Sequence, residues 1–424
     1  MLYERWRQIV RMNRGATALV EATTGRRWTF AELDTATGRA RAGRGPLCFP
    51  QGGGAEFVIA TLAGWREGLP VCPLEPGQTP PAFTGPPRAC AHAKLTSATT
   101  GASKAVLFSA AQLAADVDQI VPTMGLRPDW PNLGVISLAH SYGFSNLVMP
   151  LLLHGIPLIL ADSPLPEAVR RASALAKHLT LAAVPALWRT WHEARSIPAH
   201  VRLALSAGAP LPLLLEQQVF EAAGLKIHNF YGASECGGIA YDRTDAPRED
   251  AGCVGTPLEG VEVTVADDGC LEVRSGAVGE TYWPLPEREL QPGRFHSSDL
   301  AEVRAGSVFL RGRVTDLINV AGRKIAPEVI EHALAEHPQV RACLAFGIPS
   351  AGPERSEDTV MLVSTHGSVG VPALQQFLQA RLPAWQVPRE WRVVEGLTAN
   401  RRGKLARAEW RARFLRNGLA EKSS

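Results

Sequence analysis

Cysteine, charge of one sign and long apolar runs are all scarce in this 424-residue sequence. The seven cysteines (Cys48, Cys72, Cys90, Cys236, Cys253, Cys270 and Cys343) are odd in number, widely scattered and never spaced C-x-x-C. That argues against a disulfide framework and against a zinc site. Lys plus Arg is 44 and Asp plus Glu is 41, a formal charge of +3. The balance is wrong for a polyanion-binding protein, and no basic block precedes the last thirty or so residues, so no nucleic-acid partner is expected. No apolar run reaches the roughly 18 residues of a membrane span. The greasiest stretch, Leu147 to Leu160, is broken by Pro150, His154, Gly155 and Pro157. The first residues carry no signal-peptide core, so a cytoplasmic protein without a membrane span is expected. Repeats and a G-x-x-x-x-G-K-[ST] loop are missing too. What remains is ordinary globular composition, 46% hydrophobic and 20% charged, in a chain longer than one core usually serves.

Along the chain, Thr29 is placed to cap a helix running through Arg41, and residues 55–68 read as a second helix ending at Gly68. VCPL (71–74) reads as a short buried strand. Further apolar strand candidates are 134–139, 157–161, 179–185, 201–207 and 225–232, with helices at 164–178, 186–195 and 211–223. Short apolar strands alternating with helices indicate a largely parallel sheet covered on both faces. After residue 250 the texture changes. VEVTVADDGCLEVR (261–274) alternates on both sides of an Asp-Asp-Gly turn, a hairpin signal. Pro327 opens a helix stopped by Pro338, and 341–349, 359–365, 372–381 and 391–396 complete a small α+β unit. A boundary is expected near 313–317.

Four segments carry the chemistry. Leu95 to Lys104 packs hydroxyls, a glycine and a lysine into ten positions, the composition of a loop that wraps phosphate oxygens. An ordinary Ser/Thr-rich surface loop has the same composition. Asn229-Phe-Tyr-Gly-Ala-Ser-Glu235 leaves a strand with an aromatic ring, a glycine and a carboxylate suited to Mg²⁺, or it is a plain strand-end turn. Ser298-Asp299 and Arg313 to Asp316 bring an acid and a guanidinium that suit a ribose, or a surface ion pair. Asn400 to Lys404 precedes a basic stretch from Arg407, which by itself reads as a solvated helix.

Taken in order, these segments resemble the adenylate-forming superfamily of acyl-CoA synthetases, non-ribosomal peptide adenylation domains and luciferases. Residues 95–104 look like its [ST]-S-G-[ST]-T-G-x-P-K loop, Tyr231–Glu235 like Y-G-x-T-E, and Ser297-Ser298-Asp299 like T-G-D. Gly312 to Glu328 looks like G-R-x-x-D-x-I-x-x-x-G-x-x-I-x-P-x-E, and Gly403-Lys404 like the catalytic-lysine motif. The likeness runs from about residue 18 to 410. Ala98, Ser103, Ala105, Ser234 and Ser298 depart from the pattern, and only about 20 residues separate Pro76 from Thr96. A strand–helix–strand piece of typical members is therefore expected to be missing.

The resemblance implies an α/β fold: a large domain (1–313) of mixed and parallel sheets flanked by helices with a β-rich subdomain, and a small mobile α+β lid (314–424). It implies an ATP-dependent acid–thiol ligase using Mg²⁺, with CoA or an acyl carrier protein as acceptor. Thr96, Ser97, Thr99, Thr100, Gly101 and Lys104 would hold phosphates. Ser234 and Glu235 would serve the α-phosphate and Mg²⁺. Tyr231, Gly232, Gly208 and Ala209 would frame adenine, and Asp299 and Arg313 the ribose. Lys404 would bridge the carboxylate and the α-phosphate, with Asp316 as hinge. His140 is expected against the substrate carboxylate, in a pocket formed by Val184, Pro185, Trp188, Ser206, Ala207, Gly208, Gly237 and Gly238, with Tyr142 as a wall. The small residues at 207, 208, 237 and 238 favour a small aryl acid. Two other readings stand beside this one. Ala204-Leu-Ser206-Ala-Gly208 nearly matches G-x-S-x-G, with Asp299 and His332 downstream, as in a serine hydrolase or thioesterase. A catalytically inactive binding homologue is the other.

Overall fold

The computed structural model of the chain describes residues 1–43, 45–81, 90–96, 104–350, 357–367, 369–397 and 406–417. Among them, fourteen strands hydrogen-bond into one sheet with two characters. From strand Ile227–Ala233 outward, Val201–Ser206, Leu179–Ala183, Asn132–Gly134, Leu158–Leu160 and Thr17–Glu21 follow in parallel. Arg26–Thr29 closes that edge antiparallel. On its other side Ile227–Ala233 pairs antiparallel with Gly237–Tyr241, and every further pairing through Cys253–Pro257, Ser307–Arg313, Arg294–Arg304, Cys270–Ser275 and Val261–Val265 is antiparallel. Ile227–Ala233 is therefore the seam between an α/β half and a β-rich half.

The local causes are legible. Leu179–Ala183 is buried at all five positions, as a parallel strand covered on both faces must be. Thr29 caps Phe30–Arg39 through the Glu32 amide, with the Glu32 side chain reaching back to it. Gly68 and Gly224 adopt positive φ past helices Ala55–Arg66 and Leu213–Ala223. Two expectations change. Of the 134–139 region only Gly134 pairs in the sheet, as the last residue of strand Asn132–Gly134, because the chain then leaves it to form the loop that carries His140. VCPL makes isolated bridges to residues 48, 51 and 92 rather than a strand. A helix absent from the sequence reading, Ala110–Met124, is capped by Ser109 and ended by Gly125 at φ +67°.

A smaller antiparallel sheet, His92–Thr96, Lys104–Phe108 and Thr281–Trp283, stands beside the large one. Beyond residue 317 lie a hairpin (Ile318–Val320 and Arg323–Ile325) and a three-stranded sheet of Val340–Pro349, Glu357–Thr365 and Glu390–Val393. Helices Pro327–Ala335, Val371–Gln379 and Arg407–Asn417 accompany them. The apolar clusters of this part contain no residue from before Ile318. Among the described residues, no helix is long and apolar enough to cross a membrane.

The seam is held by buried charge. Lys226 Nζ meets Asp242 Oδ2 at 2.6 Å and also bonds Glu216, while Arg248 Nε donates to Glu216 Oε2 at 2.8 Å. Glu216 is fully buried. Removing one member of such a network leaves its partners charged and unpaired in the core. Glu216→Leu is expected to lower the unfolding free energy by about 3–5 kcal/mol, measured by urea titration.

Candidate active site

Asp299 lies on Arg294–Arg304 directly across the ladder from Arg313. Arg313 Nε donates to its Oδ1 at 2.7 Å, and the Tyr231 hydroxyl, from the seam strand, donates to Oδ2 at 2.5 Å. The Asp299 amide donates to Ser297 Oγ at 3.1 Å. Asp299 is buried while Arg313 is half exposed, so the pair presents a charged rim over a fixed carboxylate. The Asp299 charge raises the Arg313 pKa, and burial, then Asp299, drives the Tyr231 pKa well above the usual phenol value. Both partners are thereby locked in their donor forms.

Glu235 occupies the turn between Ile227–Ala233 and Gly237–Tyr241. Its Oε1 accepts from the Tyr282 hydroxyl at 3.0 Å. Lys104 Nζ sits 3.5 Å from the centroid of the same Tyr282 ring and pairs with Glu287 at 2.5 Å. Thr96 faces Lys104 across its hairpin and donates to the Lys104 carbonyl at 3.2 Å. Ser234 Oγ accepts from Ser141 Oγ at 3.1 Å, next to His140. Thr96 and Lys104, residues 140–141, 231–235 and the Asp299–Arg313 pair thus converge on the end of one strand. The carboxylate of Glu235 and the hydroxyl of Ser234 are hard oxygen donors of the kind Mg²⁺ takes.

Other expected positions behave differently. Ser97, Thr99, Thr100, Gly101 and Lys404 lie outside the described residues. Gly208, at φ +87°, and Ala209 form a half-buried turn after Val201–Ser206. Val184 is the N-cap position of helix Pro185–Glu193. Trp188 and Ser206 are wholly buried, and the Trp188 indole donates to the Leu205 carbonyl at 3.0 Å, so both are core rather than pocket wall. Gly232 is needed because a Cβ there would lie 2.5 Å from the Gly237 carbonyl oxygen. The smallness of Gly237 and Gly238 leaves no room for a ring. A Cβ at 237 would run into the Asp116 carboxylate, and one at 238 would lie 2.6 Å from Leu258 and 3.1 Å from Phe230. Among the described residues the hydrolase arrangement is absent: Ser206 Oγ has no hydrogen-bond partner, and Asp299 bonds Tyr231 and Arg313 rather than a histidine.

Sequence reasoning missed Tyr282, Glu287, Asp116 and Arg407. The stretch from Arg407 does form a helix, but Arg407 is no solvated cation. It bonds Asp316, meets Glu328 at 3.0 Å and Glu331 at 2.9 Å, and donates to the Ala345 carbonyl at 2.9 Å. Acids at 328 and 331, spaced to share a helix face, were the available signal.

Residues 84–283 match the AMP-binding enzyme family and residues 329–404 its C-terminal domain. A probable 2-succinylbenzoate–CoA ligase of Mycobacterium tuberculosis is 29% identical, over 75% of this chain and 83% of its own. An anthranilate–CoA ligase of Pseudomonas aeruginosa is 27% identical, over 77% of this chain and 67% of its own. The fold matches o-succinylbenzoate CoA synthetase of Bacillus subtilis, solved with its acyl-adenylate intermediate, at a TM-score of 0.83, 20% identity and 99% of both chains.

Burial, with neighbouring acids at Tyr231 and Tyr282, raises the pKa of Tyr142, Tyr231, Tyr241 and Tyr282. An unfolded phenol loses its proton near pH 10, so above about pH 10 the unfolded state binds fewer protons and stability falls as pH rises. In an alkaline absorbance titration, no more than one of the five tyrosines is expected to ionise before the chain unfolds.

Proposed function

Because the chain belongs to the adenylate-forming superfamily, we propose that it is an ATP-dependent carboxylic acid ligase acting on a small aryl acid. It forms an acyl-adenylate and passes the acyl group to the phosphopantetheine thiol of CoA or of a carrier protein. What supports this reading best is the convergence of Tyr231, Asp299 and Arg313 with Glu235, Tyr282 and Lys104 at the end of the seam strand.

The acid carboxylate attacks the α-phosphorus of ATP in line and pyrophosphate leaves. Positioned donors and cations then do most of the work, because charge builds on phosphate oxygens. Asp299 accepts from the ribose hydroxyls with Arg313 beside it. Tyr231, its ring fixed by the bond to Asp299, and the Gly208–Ala209 turn flank the adenine, with Gly232 allowing close approach. Lys104 exchanges Glu287 for phosphate oxygens, together with Thr96, Ser97, Thr99, Thr100 and Gly101. Ser234 contacts the α-phosphate. Glu235, with Ser234, would hold Mg²⁺, which supplies neutralisation of the triphosphate charge when bound. His140 faces the incoming carboxylate, and Lys404 bridges it to the α-phosphate. In the second half-reaction the body 314–424 turns against 1–313 about Asp316, and the thiol displaces AMP.

A pyrophosphate-exchange panel of aryl and aliphatic acids tests the activity. Exchange with no acid would sink it. Lys404→Ala is expected to cost about 10²–10³ in exchange rate, a charge contact of the transition state. Glu235→Gln is expected to raise the magnesium concentration needed for half-maximal exchange, since an amide is a poor ligand for a hard dication.

Asp316→Pro separates the half-reactions, because it fixes φ near −65° at the pivot. Exchange should survive while thioester formation falls at least about tenfold, about 1.4 kcal/mol in barrier. Since Pro also removes one of the three carboxylate partners of Arg407, Asp316→Asn is the control. If Asn reproduces the loss, the ion pair and not the backbone is responsible.

A further inference from the structure

Beneath the Glu235 turn lies a buried carboxylate that the mechanism above does not use. Asp116, 2% exposed, projects from helix Ala110–Met124. Its Oδ1 accepts from the Gly238 amide at 3.0 Å, and its Oδ2 accepts from Ser145 Oγ at 2.6 Å. Lys94 Nζ, 4% exposed as a residue, stands 3.7 Å from Oδ2. Among the described residues that ammonium has no hydrogen-bond partner, and it lies 4.6 Å from the centroid of the Phe108 ring. Burying a charge without hydrogen bonds is costly unless an opposite charge is close, so Asp116 is what makes Lys94 tolerable there.

The three contacts reach three different parts of the site. Gly238 follows Glu235 by three residues, on the strand that leaves the same turn. Ser145 lies four residues after Ser141, whose hydroxyl bonds Ser234. Lys94 is on strand His92–Thr96, two residues before the phosphate-loop position Thr96. Gly237, at φ +71°, has no Cβ because the Asp116 oxygen occupies that space.

We propose that Asp116 is a positioning residue: its carboxylate sets the turn carrying Ser234 and Glu235 and, through Lys94, ties it to the phosphate-binding hairpin. The inference rests on the reading of Glu235 as the magnesium-holding group, and its test has one arm independent of that reading. Two double variants remove both charges at similar volume. Lys94→Met with Asp116→Asn keeps an acceptor for the Gly238 amide, whereas Lys94→Met with Asp116→Leu does not. The first measurement is deuterium uptake over residues 231–240 in the protein without nucleotide. The second is the magnesium concentration for half-maximal pyrophosphate exchange.

The Leu double variant is expected to take up deuterium faster over 231–240 than the Asn double variant. It should also need at least about fivefold more magnesium, the order of one lost hydrogen bond. Equal uptake in the two overturns the proposal, as does a difference in uptake with unchanged magnesium dependence. Should the Leu double variant fail to fold, Gly237→Ala pushes a Cβ against the Asp116 oxygen in a chain that keeps the Lys94 pair. The same two shifts relative to the unmodified protein are expected, and their absence overturns the proposal. If the unmodified protein shows no exchange with any acid, the function reading fails and the uptake comparison alone decides the positioning.

Discussion

Lys226 enters the core between two carboxylates, Glu216 and Asp242, and from it the strand Ile227–Ala233 runs to the site. Two sheet halves of opposite character meet on this strand, so its position decides where both halves put their side chains. At its start the ions fix it. At its end the close approach of Gly232 to the Gly237 carbonyl leaves the hairpin one backbone path. Between these two constraints Tyr231 is held where Asp299 can accept its hydroxyl, and Glu235 where Tyr282 can reach it. The contacts of Tyr231 and Glu235 are thus consequences of backbone packing along the seam strand.

The charges near the site are arranged in two compartments. Toward the rim, Arg313 and Lys104 are partly exposed and each pairs with a carboxylate, Asp299 or Glu287. Below, Lys94 and Asp116 form a pair closed off from water. The Lys104–Glu287 pair, partly exposed on both sides, is cheap to open, because water screens and resolvates it. The buried pair is not, because separating it leaves charge in the core. A ligand with phosphates therefore meets in Lys104 a cation free to change partners, mounted on a framework that is not.

The strands of the parallel half near 157–161, 179–185, 201–207 and 225–232 were legible as apolar runs of five to eight residues between helices, whereas their order in the sheet was not. The meeting of 231, 299 and 313 was legible for a related reason: each lies in a short segment whose residue types suit neighbouring parts of one site. Tyr282, Asp116 and Arg407 were not. Each acts on a partner 47 to 122 residues away, and nothing in the neighbouring residues marks that partner. Gly237 and Gly238 show the opposite error. Small residues signal a close approach, but only the structure says what approaches, and here it is Asp116, Leu258 and Phe230 rather than a ligand ring. Residues 135–139 failed as a strand because apolar content alone cannot tell a buried strand from a buried loop.

Arg407 adds a constraint on how the two half-reactions are coupled. Its guanidinium joins Asp316, the proposed hinge, to Glu328 and Glu331 on helix Pro327–Ala335. Its own helix is further fastened by Phe414 against Phe346, ring centroids 5.7 Å apart. Lys404 is only three residues along the chain from this anchor. Any turn about Asp316 that preserves the Arg407 contacts must then carry the segment after Lys404 with the 327–349 body. A turn that breaks them must first strip a largely buried guanidinium of a carboxylate. The first route costs little, so a turn about the proposed hinge is favoured as a rigid rotation of the helix from Arg407 with the 327–349 body over an independent swing of that helix.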